Sequence, residues 1–358
     1  MSFYPLTVAD VRRETRDAVV ITLRVPEEHR DAFRFTQGQY LTFRFDADGQ
    51  EEVRRSYSIC SAVQDDALRV AVKRVPGGRF SSWAAEGLRP GATVEAMPPA
   101  GSFHLPLDPA SERHYLGVAA GSGITPVLGT LKTILLAEPR SRFTLVYGNR
   151  ASSTIMFREE LEDLKNRFTS RLSVVHVLSR EHQDVELFNG RITREKCDRL
   201  FERWIDVEEI DAAFICGPHG MVEEVTASLR AHGLPADRIK FELFGTPADL
   251  ARPPRAPADG DGGARADQCE ATVILDGRAR RFTMDRGTSV LEAGLRAGEE
   301  LPYACKGGVC STCRAKVVEG EVDMDANFAL EDYEVARGYV LTCQSYPVTA
   351  TVTLDYDG

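Results

Sequence analysis

Four cysteines in the last quarter of this chain restrict its fold more than any other feature. Cys305, Cys310 and Cys313 follow the spacing C-x4-C-x2-C, and 29 residues separate Cys313 from Cys343. Thiolates are the soft ligands an iron–sulfur cluster requires, and this spacing is that of a plant-type [2Fe–2S] site, whose potential is by default about −400 mV. Gly307 and Gly308 let the intervening loop curl so that backbone N–H groups turn toward sulfur. Structural zinc and free thiols are the competing readings. Zinc pairs usually come as C-x2-C twice, which the x4 spacing with its glycines fits poorly.

At 358 residues there is chain for two or three domains, each with its own core. A hydrophobic share of 43% and a charged share of 27% predict ordinary water-soluble globular domains. The first residues have no apolar stretch fit for a signal peptide, and no run approaches the roughly 18 apolar residues of a membrane span. A cytoplasmic protein is expected. Cys60, Cys197, Cys216 and Cys269 are scattered, as thiols in a reducing compartment would be. The net charge of −10 argues against nucleic acid, which demands clustered Lys and Arg. From Cys269 onward 9 basic residues face 15 acidic ones, so that part carries −6 of the total.

Hydrophobic patterning divides the chain. Residues 1–108 read as short alternating strands (19–25, 40–45, 55–61, 68–75) between Gly and Pro, the pattern of an antiparallel barrel or sandwich. Over 109–247 buried strands alternate with helices, which predicts a parallel α/β layer. The Pro-, Ala-, Gly- and Asp-rich stretch 248–268 reads as a flexible linker. Residues 269–358 then form a small α+β unit around the cysteines, beginning with a hairpin over 271–285.

Four further segments have chemical content. In Arg55-Ser56-Tyr57-Ser58, alternation on a strand puts Arg55 and Tyr57 on one face, where a guanidinium can neutralise a diphosphate and a phenol can stack on a flat ring. The turn from Lys73 through Gly77 and Gly78 opens a helix at Ser81 and Ser82, and helix N-terminal N–H groups bind anions, with either serine able to cap. Together these point to a flavin diphosphate; a plain amphipathic barrel strand is the alternative for the first of them. In Gly121-Ser122-Gly123-Ile124-Thr125-Pro126, glycines at the carboxyl end of the first parallel strand permit close approach of a pyrophosphate, Thr125 suits the cap and Pro126 the first turn. An ordinary tight β–α turn would read the same. Cys216-Gly217 ends a later strand and would face the same crevice, unless Cys216 is only a small core residue.

Taken in order, the motifs RSYS, GGRFSS, GSGITP, YGNR, CGPHGM and the cysteine set resemble the ferredoxin–NADP reductase superfamily with a ferredoxin domain fused at the C-terminus, as in multicomponent oxygenase reductases. The resemblance spans nearly the whole chain. It implies a six-stranded antiparallel FAD-binding β-barrel, a parallel α/β NAD(P)-binding domain and a β-grasp [2Fe–2S] domain. It further implies that Arg55, Ser56, Tyr57 and Ser58 bind flavin, Ser58 near N5, and that Lys73, Gly77, Gly78, Ser81 and Ser82 hold the FAD diphosphate. Gly121, Gly123, Thr125, Pro126 and Gly217 would hold the nicotinamide nucleotide, with Cys216 near its reactive carbon. Glu242 and Phe244 resemble an E-x-F-G tail whose aromatic covers the flavin and shifts before nicotinamide stacks.

Arg150, Ser179 and Arg180 follow strand ends and suit the 2′-phosphate of NADPH, whereas NADH would favour an acidic partner for its ribose. Surface pairing with Glu159, Glu160 or Glu181 is the alternative. The implied activity is hydride transfer from NADPH to flavin, then single-electron passage through the cluster to an acceptor protein, first of all a di-iron oxygenase such as one that epoxidises phenylacetyl-CoA. Another oxygenase, a haemerythrin-type or hybrid-cluster protein, a flavin enzyme acting directly on a small molecule, and a redox-sensing module are the competing readings. Seven acidic residues between Glu319 and Glu334 form either a solvated face or a steering surface for a basic partner.

Overall fold

The computed structural model describes residues 2–45, 52–244 and 268–358. The expected linker therefore lies outside the described residues, except for Gln268, which already belongs to a strand paired with Asp285. The chain divides into two compact units, one formed by Tyr4–Val53 with Tyr57–Phe244, the other containing the C-terminal residues.

In the first unit, β1 (Tyr4–Thr15), β2 (Ala18–Arg24), β3 (Tyr40–Phe45), β4 (Val53–Ser58), β5 (Leu68–Lys73) and β6 (Thr93–Ala96) make a six-stranded sheet in the order β4-β3-β6-β1-β2-β5. The sheet closes on itself. Ile59, just past β4, bridges antiparallel to Val70 of β5, and the Cys60 N–H donates to the Arg69 carbonyl at 2.9 Å. Leu6, Ile21, Leu41, Phe43, Ile59 and Val70 fill the interior. Helix α1 (Arg79–Glu86) covers one side, burying Phe80 and Ala84.

Five parallel strands follow: β7 (His114–Ala120), β8 (Arg142–Asn149), β9 (Leu172–Leu178), β10 (Ala212–Gly217) and β11 (Ile239–Leu243), in the order β11-β10-β7-β8-β9. Chain order reverses between β7 and β10, and ligands of such sheets bind beyond the carboxyl ends of strands at that point. Helices α2 (Ile124–Ala137), α3 (Arg158–Arg167), α4 (Arg194–Arg203) and α5 (His219–Ala231) connect the strands. α3 and α4 are charged outside, with Leu161 and Leu164, or Leu200 and Phe201, turned inward. α2 is different: every residue from Ile124 to Leu135 is buried, because the helix lies between sheet and barrel. A Cβ at Gly129 would lie 2.7 Å from the Ile59 carbonyl oxygen, so only glycine permits this contact.

The C-terminal unit has β12 (Gln268–Leu275), β13 (Arg278–Asp285), α6 (Val290–Arg296), β14 (Arg314–Glu319), β15 (Val322–Met324), α7 (Asp332–Ala336), β16 (Tyr339–Leu341), β17 (Ser345–Pro347) and β18 (Thr351–Asp355). Its main sheet runs β13-β12-β18-β14-β16, with β12 parallel to β18 and the other pairs antiparallel. Asp276 and Gly277 both take positive φ (52° and 69°), which a two-residue primed hairpin turn requires. Val290 and Leu291 of α6 pack into the core against Leu341 and Leu354. Among the described residues no helix is long and apolar enough to cross a membrane.

Candidate functional site

In the C-terminal unit the four cysteines gather as two pairs. Lys306, Gly308 and Ser311 all take positive φ, at 52°, 78° and 50°, and this curls the chain around the thiols. The Gly307 N–H donates to Cys305 Sγ at 3.3 Å, and the Cys305 N–H to Cys310 Sγ at 3.5 Å. The hydrogen bond with Cys310, with backbone N–H groups adding to it, holds the Cys305 thiol down to about 6 despite its burial. Hydrogen bonding to Cys305, then burial, pushes Cys310 well up. Cys313 is raised in the same way by its hydrogen bond with Cys343 and by burial. The second pair is fixed from behind: Thr342 donates to the Cys313 carbonyl through Oγ1 at 3.0 Å, and Tyr356 donates to that hydroxyl at 2.9 Å. Among the described residues no three Cys, His, Asp or Glu side chains converge on one point, as a mononuclear zinc centre requires. Two pairs, with N–H groups aimed at sulfur, fit a two-iron cluster.

In the first unit, a cleft of about 1090 Å³ opens at the reversal point of the parallel sheet. Lys73, Gly121, Arg150, Ser179 and Phe244, all singled out in the sequence, line it. The two glycines of the turn after β7 do different things. Gly121 takes φ +54° with open space where a Cβ would be, whereas a Cβ on Gly123 would lie 2.2 Å from the Cys216 carbonyl oxygen. Gly123 is thus required by packing against β10. Thr125 is not the helix cap. It sits inside the first turn of α2, 2% exposed, and donates to the Ser122 carbonyl at 3.0 Å, while Gly123 is the N-cap and Pro126 the third helical residue.

Arg191 also lines the cleft, with Thr154 and Thr193, and the sequence reading missed all three. Gly190, at φ +94°, turns the chain back after the Phe188 turn and so brings in an arginine twelve positions beyond Ser179. Arg180 does not line the cleft; its backbone N–H pairs with the Arg150 carbonyl and its side chain is exposed. Two of the carboxylates suspected of pairing with these arginines are engaged elsewhere. Glu181 accepts from the Ser152 N–H and hydroxyl, and Glu160 from Arg69 and Lys132. Within the cleft Asp17 faces Lys73 at 3.7 Å, and Glu224 accepts from the Arg194 N–H.

Ser58, at the end of β4, is buried and donates to Glu242 at 3.2 Å. Burial pushes the Glu242 carboxyl up to about 7, with the Ser58 hydrogen bond opposing. Cys216 is fully buried beside Glu242 in the β10–β11 register and is raised well above an ordinary thiol, first by burial and then by that carboxyl; it does not line the cleft. Phe244 is held by its N–H donating to the Gly217 carbonyl at 2.9 Å. Tyr57 stacks on Phe80 at 5.2 Å, and the exposed Arg55 donates to the Arg54 carbonyl. The expected serine cap of α1 is absent. Gly78 is the N-cap, and Ser81 is inside the first turn, its hydroxyl accepting from the Val75 N–H and donating to the Gly78 carbonyl. Gly77 supplies the positive φ of that turn, at 75°, and the Ser82 N–H donates to the Gly78 carbonyl.

Three family models match along the chain: an oxidoreductase FAD-binding domain over residues 5–105, an oxidoreductase NAD-binding domain over 118–227, and a 2Fe-2S iron-sulfur cluster binding domain over 273–348. One component of the 1,2-phenylacetyl-CoA epoxidase of Escherichia coli (strain K12) is 46% identical over 360 residues, covering 99% of this chain and 98% of that protein. The chain belongs to the ferredoxin reductase superfamily. Another member, the ferredoxin reductase component of 3-ketosteroid-9-alpha-monooxygenase from Rhodococcus rhodochrous, is 34% identical over 98% of this chain and 96% of its own length. Phthalate dioxygenase reductase has the same fold, with a TM-score of 0.59 at 24% identity over 99% of this chain and 98% of that one. This superfamily member is therefore an NAD(P)H-dependent flavin and iron–sulfur oxidoreductase, built as the reductase component of an oxygenase system.

The acidic stretch needs one correction. Glu334 is 3% exposed, ion-paired with Arg314 at 2.7 Å, and accepts from the Glu331 N–H, so it caps α7 and is no part of an outer face.

Proposed function

We propose that this reductase takes electrons from NADPH, through FAD and a [2Fe–2S] cluster, to the oxygenase component of a phenylacetyl-CoA epoxidase. When bound, the flavin accepts a hydride and the cluster passes single electrons. The observation behind NADPH is the charge at the cleft: Arg150, Arg191 and Ser179 line it, and Glu181, the nearby carboxylate considered as a partner, accepts from Ser152 instead. A 2′-phosphate supplies the missing counter-charge, and guanidiniums are suited to it. Arg180 is assigned to the rim outside the cleft. The support for the acceptor is the full-length identity with the phenylacetyl-CoA epoxidase component.

In this reading the FAD-binding domain is 1–108, the nucleotide domain 109–247 and the cluster domain 269–358, with Cys305, Cys310, Cys313 and Cys343 as ligands. Arg55, Ser56, Tyr57, Ser58, Lys73, Gly77, Gly78, Ser81 and Ser82 bind flavin. Of the two serines, the buried Ser81 orders the turn. Gly121, Arg150, Ser179 and Arg191 line the coenzyme site, with Gly123, Thr125, Pro126 and Gly217 shaping it. Phe244 would cover the flavin and shift before nicotinamide stacks, near Cys216 and Glu242, which are paired in the β10–β11 register. The acceptor docks on the acidic surface from Glu319 to Asp332 without Glu334, and the four scattered thiols, all buried, suit the cytoplasm.

Anaerobic titration with NADPH and NADH, following flavin and cluster bleaching, tests this. Wild type should bleach at lower NADPH than NADH. Arg191→Ala should raise the NADPH requirement about 10–100-fold, the effect of one charged hydrogen bond, and leave NADH unchanged. Equal response to both coenzymes in wild type would overturn the NADPH assignment, and failure to support turnover of a phenylacetyl-CoA epoxidase would overturn the acceptor.

A further inference from the structure

Gln344 follows the last cysteine, and its carboxamide has three acceptors. Nε2 lies 3.0 Å from the Lys306 carbonyl, 3.0 Å from the Cys343 carbonyl and 3.7 Å from Cys343 Sγ, so one of its two N–H groups serves Lys306 and the other is shared between the carbonyl and the sulfur of Cys343. The side chain leaves a fixed backbone. The Gln344 N–H donates to the Leu341 carbonyl at 2.8 Å, and its own carbonyl accepts from the Asp325 N–H at 2.9 Å. Its path is kept open by Gly308, where a Cβ would lie 3.2 Å from Gln344 Cγ and 3.0 Å from the Ala326 carbonyl oxygen. One amide thus joins the loop of the first cysteine pair to a sulfur of the second.

We propose that Gln344 is a positioning residue that sets the potential of the iron–sulfur centre, through an N–H donated to Cys343 Sγ. The inference rests on reading Cys343 as a ligand. Adding one electron to the cluster increases the negative charge on its sulfur ligands, and a donor aimed at one of them stabilises that state more than the oxidised one. Holding Lys306 keeps the amide from turning away. Backbone N–H groups serve Cys305 and Cys310, so the side-chain donor supplies the fourth cysteine from a different source.

The test is redox titration of the full chain, read by visible absorbance and EPR, with iron content measured on every sample. Absence of cluster bands from the wild type would refute the iron–sulfur reading itself, before any potential is compared. Gln344→Met keeps the length and removes the donors. It should lower the reduced-to-oxidised ratio at fixed poise about tenfold, a shift of about 59 mV to more negative potential. Gln344→Lys restores a donor and should return the potential to the wild-type value or above it. A fully loaded Gln344→Met variant with the wild-type potential would overturn the proposal, as would a loaded Gln344→Lys variant falling with it. Loss of the cluster from both variants would also overturn it, because the amide would then serve assembly alone.

Discussion

Replacing Lys132 by methionine should destabilise the first unit by about 3 kcal/mol. Lys132 sits in the middle of α2, 7% exposed, with Nζ 2.6 Å from Asp65 Oδ2 and 2.7 Å from Glu160 Oε1. Arg69 closes the group, bidentate to Glu160 at 2.8 and 3.3 Å and 3.8 Å from Asp65. Two cations and two carboxylates from β5, the loop before it, α2 and α3 thus join barrel and parallel sheet. Removing one member of a buried pair costs about 3–5 kcal/mol, because the partner charge stays behind. The lower end applies here, since Arg69 keeps Glu160 paired and the Asp65 side chain is 28% exposed. For a unit of this size that is a fall in Tm of roughly 6–12 °C. Both tryptophans, Trp83 and Trp204, lie in this unit, so their fluorescence reports its melting alone.

The pH dependence of the same variant provides a second check. Burial alone would raise both carboxyls. Hydrogen bonds from Lys132 to Asp65, and from Arg69 and then Lys132 to Glu160, bring both below the ordinary carboxylate range. A depressed folded pKa gives stability that is present above the unfolded pKa of about 4 and is lost as pH falls through the folded value. Lys132→Met should therefore flatten the acid limb of the stability profile, and Lys132→Arg should restore part of it. A melting point within 2 °C of wild type and an unchanged acid limb would refute the reasoning.

Gly123→Ala places a Cβ against the Cys216 carbonyl, where neither backbone can yield cheaply. Coenzyme affinity should fall at least tenfold while flavin content is retained, and overpacking should cost about 1–3 kcal/mol; unaltered affinity and melting would contradict this. Glu242→Gln should reduce the loss of stability at higher pH. A carboxyl raised to about 7 in the folded state contributes stability below the unfolded pKa that disappears as pH rises through 7, and glutamine has no such titration. Superimposable pH profiles for the two proteins would count against burial as the cause.

Elements with their own period were legible. β7 over His114–Ala120 is a continuous buried run and α3 over Arg158–Arg167 a charged amphipathic one, as the alternation of buried strands and helices over 109–247 leads one to expect. The cysteine loop was readable because its thiols stand at a characteristic spacing. β1 was not, because its outer half reads DVRRET, and twelve residues of mixed exposure give no clean alternation. β11 escaped as a strand because it has only five residues, one of them the buried Lys240. The missed site residues share a reason: Arg191 reaches the cleft through a glycine turn, and local pattern contains nothing about where such a loop ends. Glu334 was read as surface charge because its partner Arg314 lies 20 positions earlier.

The motif after β7 shows why a short signature can be right in place and wrong in detail. Its glycines look alike in sequence, yet Gly121 faces the cleft and Gly123 faces β10. From Gly123 the chain runs directly into α2, and six residues on, about 9 Å along the axis, Gly129 meets the carbonyl of Ile59. Ile59 is the neighbour of Ser58, which in turn holds Glu242. Three more residues bring Lys132 and its charge cluster. One buried helix thus touches the end of β10 at its start and the end of β4 at its middle, without a flexible segment between. The strand that carries the proposed flavin residues and the turn that carries the proposed nucleotide residues are therefore held at a fixed separation by backbone contact. Under the proposed function, approach of coenzyme to flavin would come from a side chain moving, and Phe244, in the cleft and tethered through its backbone to Gly217, is the one proposed to move.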